Sequence, residues 1–249
     1  MLTDELLTYL FDGQSHILIT PMATWLASSR RFTNFVTTFR DKIRKKLRTT
    51  QEQETLYDLR LELETAYLLL RERALSLVYE PQDCGQERCP DFAVTFTTSL
   101  IFMVEVTRLR TIQKITSGST PSQQENSLKF SLAAENLADT MCSKLKQLSP
   151  QRSNVLIIGV DIPYQSQSDL QAALLRVQQR VERNDSAFLQ RYRFRDRADF
   201  FRYYHRLSEV LVRGSQWQAD EAVVVWINPQ TKHPLPSKVR NTLYHSHTI

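Results

Sequence analysis

"RCPDFAVTFTTSLIFMVEVTRLR", Arg88 to Arg110, reads as two short apolar strands around a polar turn, and each strand carries one carboxylate where a core residue is usual. With Thr98 as the midpoint of a hairpin, Asp91 stands opposite Glu105, each seven residues from the turn. Directly opposed residues share a sheet face with Cβ atoms about 4.5 to 5.5 Å apart, and like charges there destabilise the pair. Something must offset the repulsion: one partner stays protonated, an arginine intrudes, or a divalent cation binds. Mg²⁺ suits the last case, because it commonly takes one or two protein carboxylates and keeps several waters. The turn itself, "TTS", lacks the glycine that a three-residue hairpin loop prefers.

Outward from the hairpin, "ALSLVYE" supplies a preceding strand and completes an antiparallel meander. Before it, "ETLYDLRLELETAYLLLRER" places Leu56, Leu59, Leu63, Ala66 and Leu70 on one stripe of a half-buried helix, with Glu62 beside the stripe. Earlier still, "ITPMATWLASSRRFTNFVTTFRDKIRKKL" starts at Thr20 as N-cap with Pro21 in the first turn. It repeats Phe32, Phe35, Val36, Phe39, Ile43 and Leu47 at helical spacing, so one amphipathic helix with a cationic outer face is predicted. After the hairpin, "TIQKITSGSTPSQQEN" reads as a surface loop, and "SLKFSLAAENLADTMCSKLKQL" as a helix with Phe130, Ala134, Leu137, Met141, Leu145 and Leu148 on one face. "NVLIIGVD" is then a strand buried on both sides. Two helical stretches, from about Asp169 to Arg183 and about Ser186 to Arg213, lead to a last strand, "AVVVWIN". This order predicts an α/β sandwich in which helices cover a sheet that begins antiparallel and gains crossover strands. Residues 1–50 read as an N-terminal helical extension packed on the core, and 51–249 as the main domain, with a helical, Arg-rich insertion at about 166–214.

The chain's 249 residues and 41% hydrophobic content suffice for a sizeable core. With 24% charged residues, no long apolar run, and two acids but no basic start in Met1 to Tyr9, the reading is a soluble, cytoplasmic protein without a membrane partner. Cys84, Cys89 and Cys142 read as reduced thiols. Only five glycines are present, with neither a phosphate-cradling glycine loop nor a G-x-S-x-G elbow, so kinase and serine-hydrolase readings fall away. The net charge of +5 is clustered: eight basic residues against one acid lie between Arg30 and Arg48, and seven arginines against three acids between Phe188 and Arg213. Such clustering fits either a polyanion partner or a solvated helix face.

A helix with Glu62, a strand, Pro90-Asp91 entering a second strand, Glu105-Val106-Thr107 closing a third, then a helix and a strand: this order resembles the PD-(D/E)XK nuclease superfamily over roughly Glu54 to Asp161. "ELETAYLLL" is similar to the family's first-helix pattern through Glu62 and Ala66, and "KLKQL" to its K-x-x-Q-L ending through Lys144, Gln147 and Leu148. "INPQTKHPLP" resembles a segment of some members. The resemblance implies a restriction-endonuclease-like three-layer sandwich, a central mixed β-sheet flanked by helices. It also implies a metal-dependent nuclease hydrolysing phosphodiester bonds of DNA rather than RNA. Asp91 and Glu105 would hold Mg²⁺ or Mn²⁺, with Glu62 as a further metal ligand or holding a metal-bound water.

Where the motif has lysine, this chain has Thr107, a hydroxyl without charge. Three residues are candidates for the missing cation: Arg108, which strand alternation aims at the opposite face, Lys129, and Lys144, the preferred substitute. Arg191, Arg193, Arg195 and Arg197 would cover DNA phosphates, while Phe194, Phe200, Phe201 and Tyr204 either stack on bases or dock their helix on the core. The alternative is a catalytically degenerate member that keeps the fold as a nucleic-acid-binding or protein-interaction module. A homodimer is compatible with either.

Overall fold

The computed structural model describes residues 3–50, 52–82, 89–109, 136–160, 167–214 and 223–247, with backbone alone for 167–169. Lys129, one of the candidates for the missing cation, lies outside them. Four short helices come first, α1 (Thr3–Phe11), α2 (Ile19–Ser28), α3 (Arg30–Thr38) and α4 (Arg40–Thr49), followed by the long α5 (Gln53–Arg71). The meander is β1 (Leu75–Tyr79), β2 (Phe92–Phe96) and β3 (Leu100–Leu109). Next come α6 (136–144) and β4 (Asn154–Val160), then α7 (Gln167–Glu182), α8 (Ser186–Arg191) and α9 (Arg197–Tyr204). The described chain closes with β5 (Leu207–Gly214), β6 (Val224–Ile227) and α10 (Ser237–Ser246).

The six strands form one open mixed sheet in the order β1-β2-β3-β4-β5-β6. β1, β2 and β3 pair antiparallel, β4 and β5 join parallel, and β6 returns antiparallel. Strand alternation splits the core into two clusters. Phe102, Val104 and Val106 of β3, with Val155 and Ile157 of β4, meet the buried side chains of α1–α5 and α10. Leu109, Leu156, Ile158 and Val160 meet α6–α9 on the other face. The molecule is thus an α/β fold with helices on both faces of its sheet. No helix among the described residues is long and apolar enough to cross a membrane.

Three expectations need correction. The single helix predicted from Thr20 is three helices, and its joints fall at Ser29 and Phe39. Ser29 is extended and its side chain accepts from Phe32 N, capping α3, while Leu18 rather than Thr20 holds the N-cap position of α2, without a side-chain hydrogen bond. Second, the helix predicted from Ser186 to Arg213 stops at Tyr204. Leu207–Gly214 is β5, a buried central strand, so the insertion at about 166–214 is not wholly helical. Glu209 and Arg213 interrupt its apolar run, yet distant partners neutralise them: Arg240 meets Glu209 and Glu64 meets Arg213. Third, Cys89 is disulfide-bonded rather than a reduced thiol, since a cysteine count does not fix oxidation state; Cys142 is free and buried.

Two features place α5 over the sheet. Gly159 of β4 lies under Leu61, where an added Cβ would come within 2.5 Å of Leu61 Cδ2. A Cβ here would force the Leu61 side chain out of its place against the strand. From the N-terminal helices, Arg31 donates to Leu70 O, Glu72 O and Leu75 O, tying α3 to the end of α5 and to the outermost strand β1. Lys42 of α4 reaches the far end of the same strand, 3.2 Å from Tyr79 O and 3.1 Å from Glu80 O. α5 is therefore buried along much of its circumference and not on one stripe alone, Leu61, Leu68 and Leu69 joining the predicted Leu59, Leu63, Ala66 and Leu70.

Candidate active site

The hairpin has the register that places the two acids together. Phe96 pairs with Leu100 and Phe92 with Val104, so the turn is centred on Thr98 and Asp91 falls opposite Glu105. Thr97 takes the left-handed position that glycine would have filled, at φ 55°, which costs an L-residue about 1–2 kcal/mol. Its N–H donates to Ala74 O at 2.6 Å and its hydroxyl to Phe96 O at 2.7 Å. Asp91 sits just before β2, where Pro90 has no N–H to continue the ladder, and its Oδ2 accepts from Val106 N at 2.7 Å instead. Its carbonyl accepts from Glu80 N at 2.8 Å, one step beyond the last paired residues Tyr79 and Phe92.

Glu105 is buried, 3% exposed, and faces α6. Its Oε1 lies 2.7 Å from Lys144 Nζ at the end of α6, whereas its Oε2 is buried with no hydrogen-bond partner among the described residues. Burial pushes Asp91 well above the usual carboxylate range, and the charges of Glu105 and Glu62 add to the push, against the Val106 N–H and Lys144. Burial also raises Glu105, with Lys144 opposing, Glu62 reinforcing and the Asp91 backbone N–H opposing in turn. Two acids opposed on one face thus meet one lysine from the neighbouring helix, an arrangement short of positive charge.

Glu62 is oriented differently from the sequence-based expectation. Its Oε1 is 2.7 Å from Lys46 Nζ, and the same ammonium lies 2.7 Å from Glu80 Oε1 and 4.8 Å from the centre of the Tyr79 ring. Among the described residues no group of three or more His, Cys, Asp or Glu side chains is placed to hold a metal ion together. The predicted three-acid set is therefore not assembled: Asp91 and Glu105 converge, while Glu62 is engaged by Lys46. Lys46 and Glu80 escaped the sequence reading. Lys46 stands in a run of basic residues on α4 and nothing local separates it from Lys45; Glu80 follows a strand, where an acid is ordinary.

Thr107 lies on the Glu105 side of β3, beside a groove of ≈ 420 Å³ that it shares with Lys144, Asn136, Asp139, Thr140, Ser143 and Asp58. Arg108 points to the other face as alternation requires, pairing with Glu54 and, at 3.2 Å, with Asp58, and lying 5.2 Å from the Tyr57 ring centre. Of the lysine substitutes among the described residues, Lys144 is the one at the acids.

Arg191, Arg193, Arg195 and Arg197 are all exposed. Arg191 pairs with Asp139, which lines the groove. Arg195 lies 3.8 Å from Asp199, and Arg197 sits 5.7 Å from the Phe201 ring centre. Phe194, Phe200 and Tyr204 are buried in the second core cluster, so their role is docking. Phe201 is partly buried against the same cluster. Compared with family models, with curated proteins and with solved structures, the chain matches none.

Proposed function

We propose that this chain is a divalent-metal-dependent phosphodiesterase of the PD-(D/E)XK nuclease type acting on DNA, with Lys144 supplying the positive charge that Thr107 lacks. The observation that carries this reading is the Glu105 carboxylate: one oxygen on Lys144 Nζ at 2.7 Å, the other buried and without a partner among the described residues, opposite Asp91. A buried acceptor with no donor is costly, and two neighbouring carboxylates of raised pKa are relieved by a cation. The residues present therefore fit a divalent ion held by Asp91 and Glu105. The element order α5, β1, β2, β3, α6, β4 also supports a restriction-endonuclease-like core.

When bound, Mg²⁺ or Mn²⁺ supplies Lewis acidity and a water of lowered pKa. Hydrolysis forms a bond from water oxygen to phosphorus, breaks one P–O ester bond, and leaves a proton on the departing oxygen. Lys144, oriented by Glu105 and lining the groove, is the residue that places fixed positive charge beside the phosphate as negative charge develops. The exposed Arg191, Arg193, Arg195 and Arg197 would meet neighbouring phosphates. Thr107 favours a second reading, a descendant that has lost catalysis and keeps DNA binding.

The test is Mn²⁺ titration of the wild type beside Asp91→Ala, with plasmid cleavage by Lys144→Met. Binding in the wild type and its loss in Asp91→Ala are expected, as is a cleavage rate reduced about 10² to 10³ by the Lys144 change. Equal Mn²⁺ affinity in both proteins removes the metal site. Metal binding without any cleavage by the wild type selects the second reading.

A further inference from the structure

α4 belongs to the N-terminal helices, yet it delivers Lys46 to Glu62, the acid whose charge acts on Asp91 and Glu105. Its ammonium is 2.7 Å from Glu62 Oε1, 2.7 Å from Glu80 Oε1 and 4.8 Å from the centre of the Tyr79 ring. Burial lowers the lysine's pKa, but Glu62 and Glu80 outweigh it and the net shift is upward, so Lys46 is held charged. Glu80 is fixed for this contact from several directions. Its backbone is left-handed at φ 45°, its N–H donates to Asp91 O at 2.8 Å, and its carbonyl accepts from Lys42 at 3.1 Å. A non-glycine residue in that conformation is retained when its surroundings over-determine it, and such residues gather at functional sites.

Glu62 is the third acid whose charge acts on both Asp91 and Glu105. A second divalent ion beside the first would draw on this carboxylate. The side chain is only 12% exposed and its Oε1 already accepts an ammonium, so a metal there would have to displace Lys46 or lie against its charge.

We propose that Lys46 occupies the place of a second cation, so that the centre takes a single divalent ion on Asp91 and Glu105 and α4 is a working part of the active site. The inference rests on the metal-dependent reading above and goes beyond it by fixing the number of ions and assigning Lys46 as a positioning residue. Lys46 holds Glu62 and Glu80 in place and keeps their charge from drawing a further ion. The N-terminal helices are then required for the centre's electrostatics as well as for the core.

The experiment is Mn²⁺ titration of the full chain by calorimetry, with bound ions counted by electron paramagnetic resonance and folding followed by circular dichroism. The wild type is expected to bind one Mn²⁺ per chain. Glu62→Gln is expected to keep that single ion with an affinity within about threefold, because its oxygen is not a ligand. Lys46→Met is expected to bind two. Two ions in the wild type, loss of the ion in Glu62→Gln, or a folded Lys46→Met with one ion of unchanged affinity each overturns the proposal. If Lys46→Met does not fold, the wild-type count and Glu62→Gln still decide it. A wild type that binds no Mn²⁺ overturns the metal site and this inference with it, whereas a single ion lost in Glu62→Gln overturns this inference alone.

Discussion

Glu105 on β3 and Glu209 on β5 are both buried glutamates on parallel-paired strands of one sheet, and they are treated oppositely. Glu209 is fully enclosed and both its oxygens are occupied, Oε1 by Arg240 Nε at 2.6 Å and Oε2 by the Tyr244 hydroxyl at 2.7 Å, both from α10. Glu105 has Lys144 on one oxygen and no hydrogen-bond partner among the described residues on the other, with Asp91 across from it. Glu64 is likewise held by an arginine, its Oε2 2.8 Å from Arg213 between α5 and β5. A carboxylate that fastens elements together is saturated by the protein. One left with an open oxygen beside a second acid retains capacity for a ligand the protein does not contain.

The strongest way to break this contrast is to delete the saturated member. Glu209→Ala strands Arg240 and the Tyr244 hydroxyl at the inner face of α10, and a loss of about 3 kcal/mol in urea unfolding is expected. A change below about 1 kcal/mol, the size expected at Asp91, would make the two glutamates equivalent.

His247 sharpens the comparison from another side, because it too is buried with one polar atom, Nε2, lacking a partner. Its Nδ1 lies 3.0 Å from Leu243 O, and burial, with Arg213 nearby, lowers its pKa to about 3. The folded protein therefore keeps this ring neutral while the unfolded chain protonates it near the usual value. Stability attributable to His247 is complete above that value and falls by about 1.4 kcal/mol per unit as pH drops below about 6.5. Between pH 7 and pH 5 the loss is about 2 kcal/mol, and the His247→Asn variant should lack that slope in urea unfolding at the two pH values.

The smallest expected effect is at the open pair itself. Asp91→Asn keeps an acceptor for Val106 N and removes one of two opposed charges, so metal-free stability at pH 8 should rise by about 1 kcal/mol. Its raised pKa makes the wild-type carboxyl's contribution greatest below the ordinary carboxylate range and lost as pH climbs through the elevated value. The variant's advantage should accordingly vanish near about pH 4, where the wild-type acid is also protonated. Mg²⁺ should raise the melting temperature of the wild type and not of Asp91→Asn; a metal-free variant less stable than wild type at pH 8 would count against repulsion at the site.

The open pair was legible because everything that defines it is local. Strand alternation on either side of "TTS" sets the register, places Asp91 opposite Glu105, and sends Arg108 to the other face. The approach of Lys144 to the acids was legible through its position on the next helix. What escaped depends on partners far along the chain. β5 was hidden because Glu209 and Arg213 look like a polar helix face until Arg240 and Glu64 arrive from 31 and 149 residues away. Lys46 differs from its basic neighbours only in what the fold brings to it, and the breaks at Ser29 and Phe39 fall within a hydrophobic spacing that continues unbroken across them.

The reach of Arg31 and Lys42 to β1 has a further consequence. Because Ala74 and Glu80 bond inward to β2, the carbonyls of Leu75 and Tyr79 face outward from the sheet, and these are the ones the two cations take. An uncovered outer strand is a template on which another chain can add, the first step of sheet-to-sheet polymerisation. Two long basic side chains occupy the ends of that template, so the N-terminal helices also act as a stop against self-association through β1.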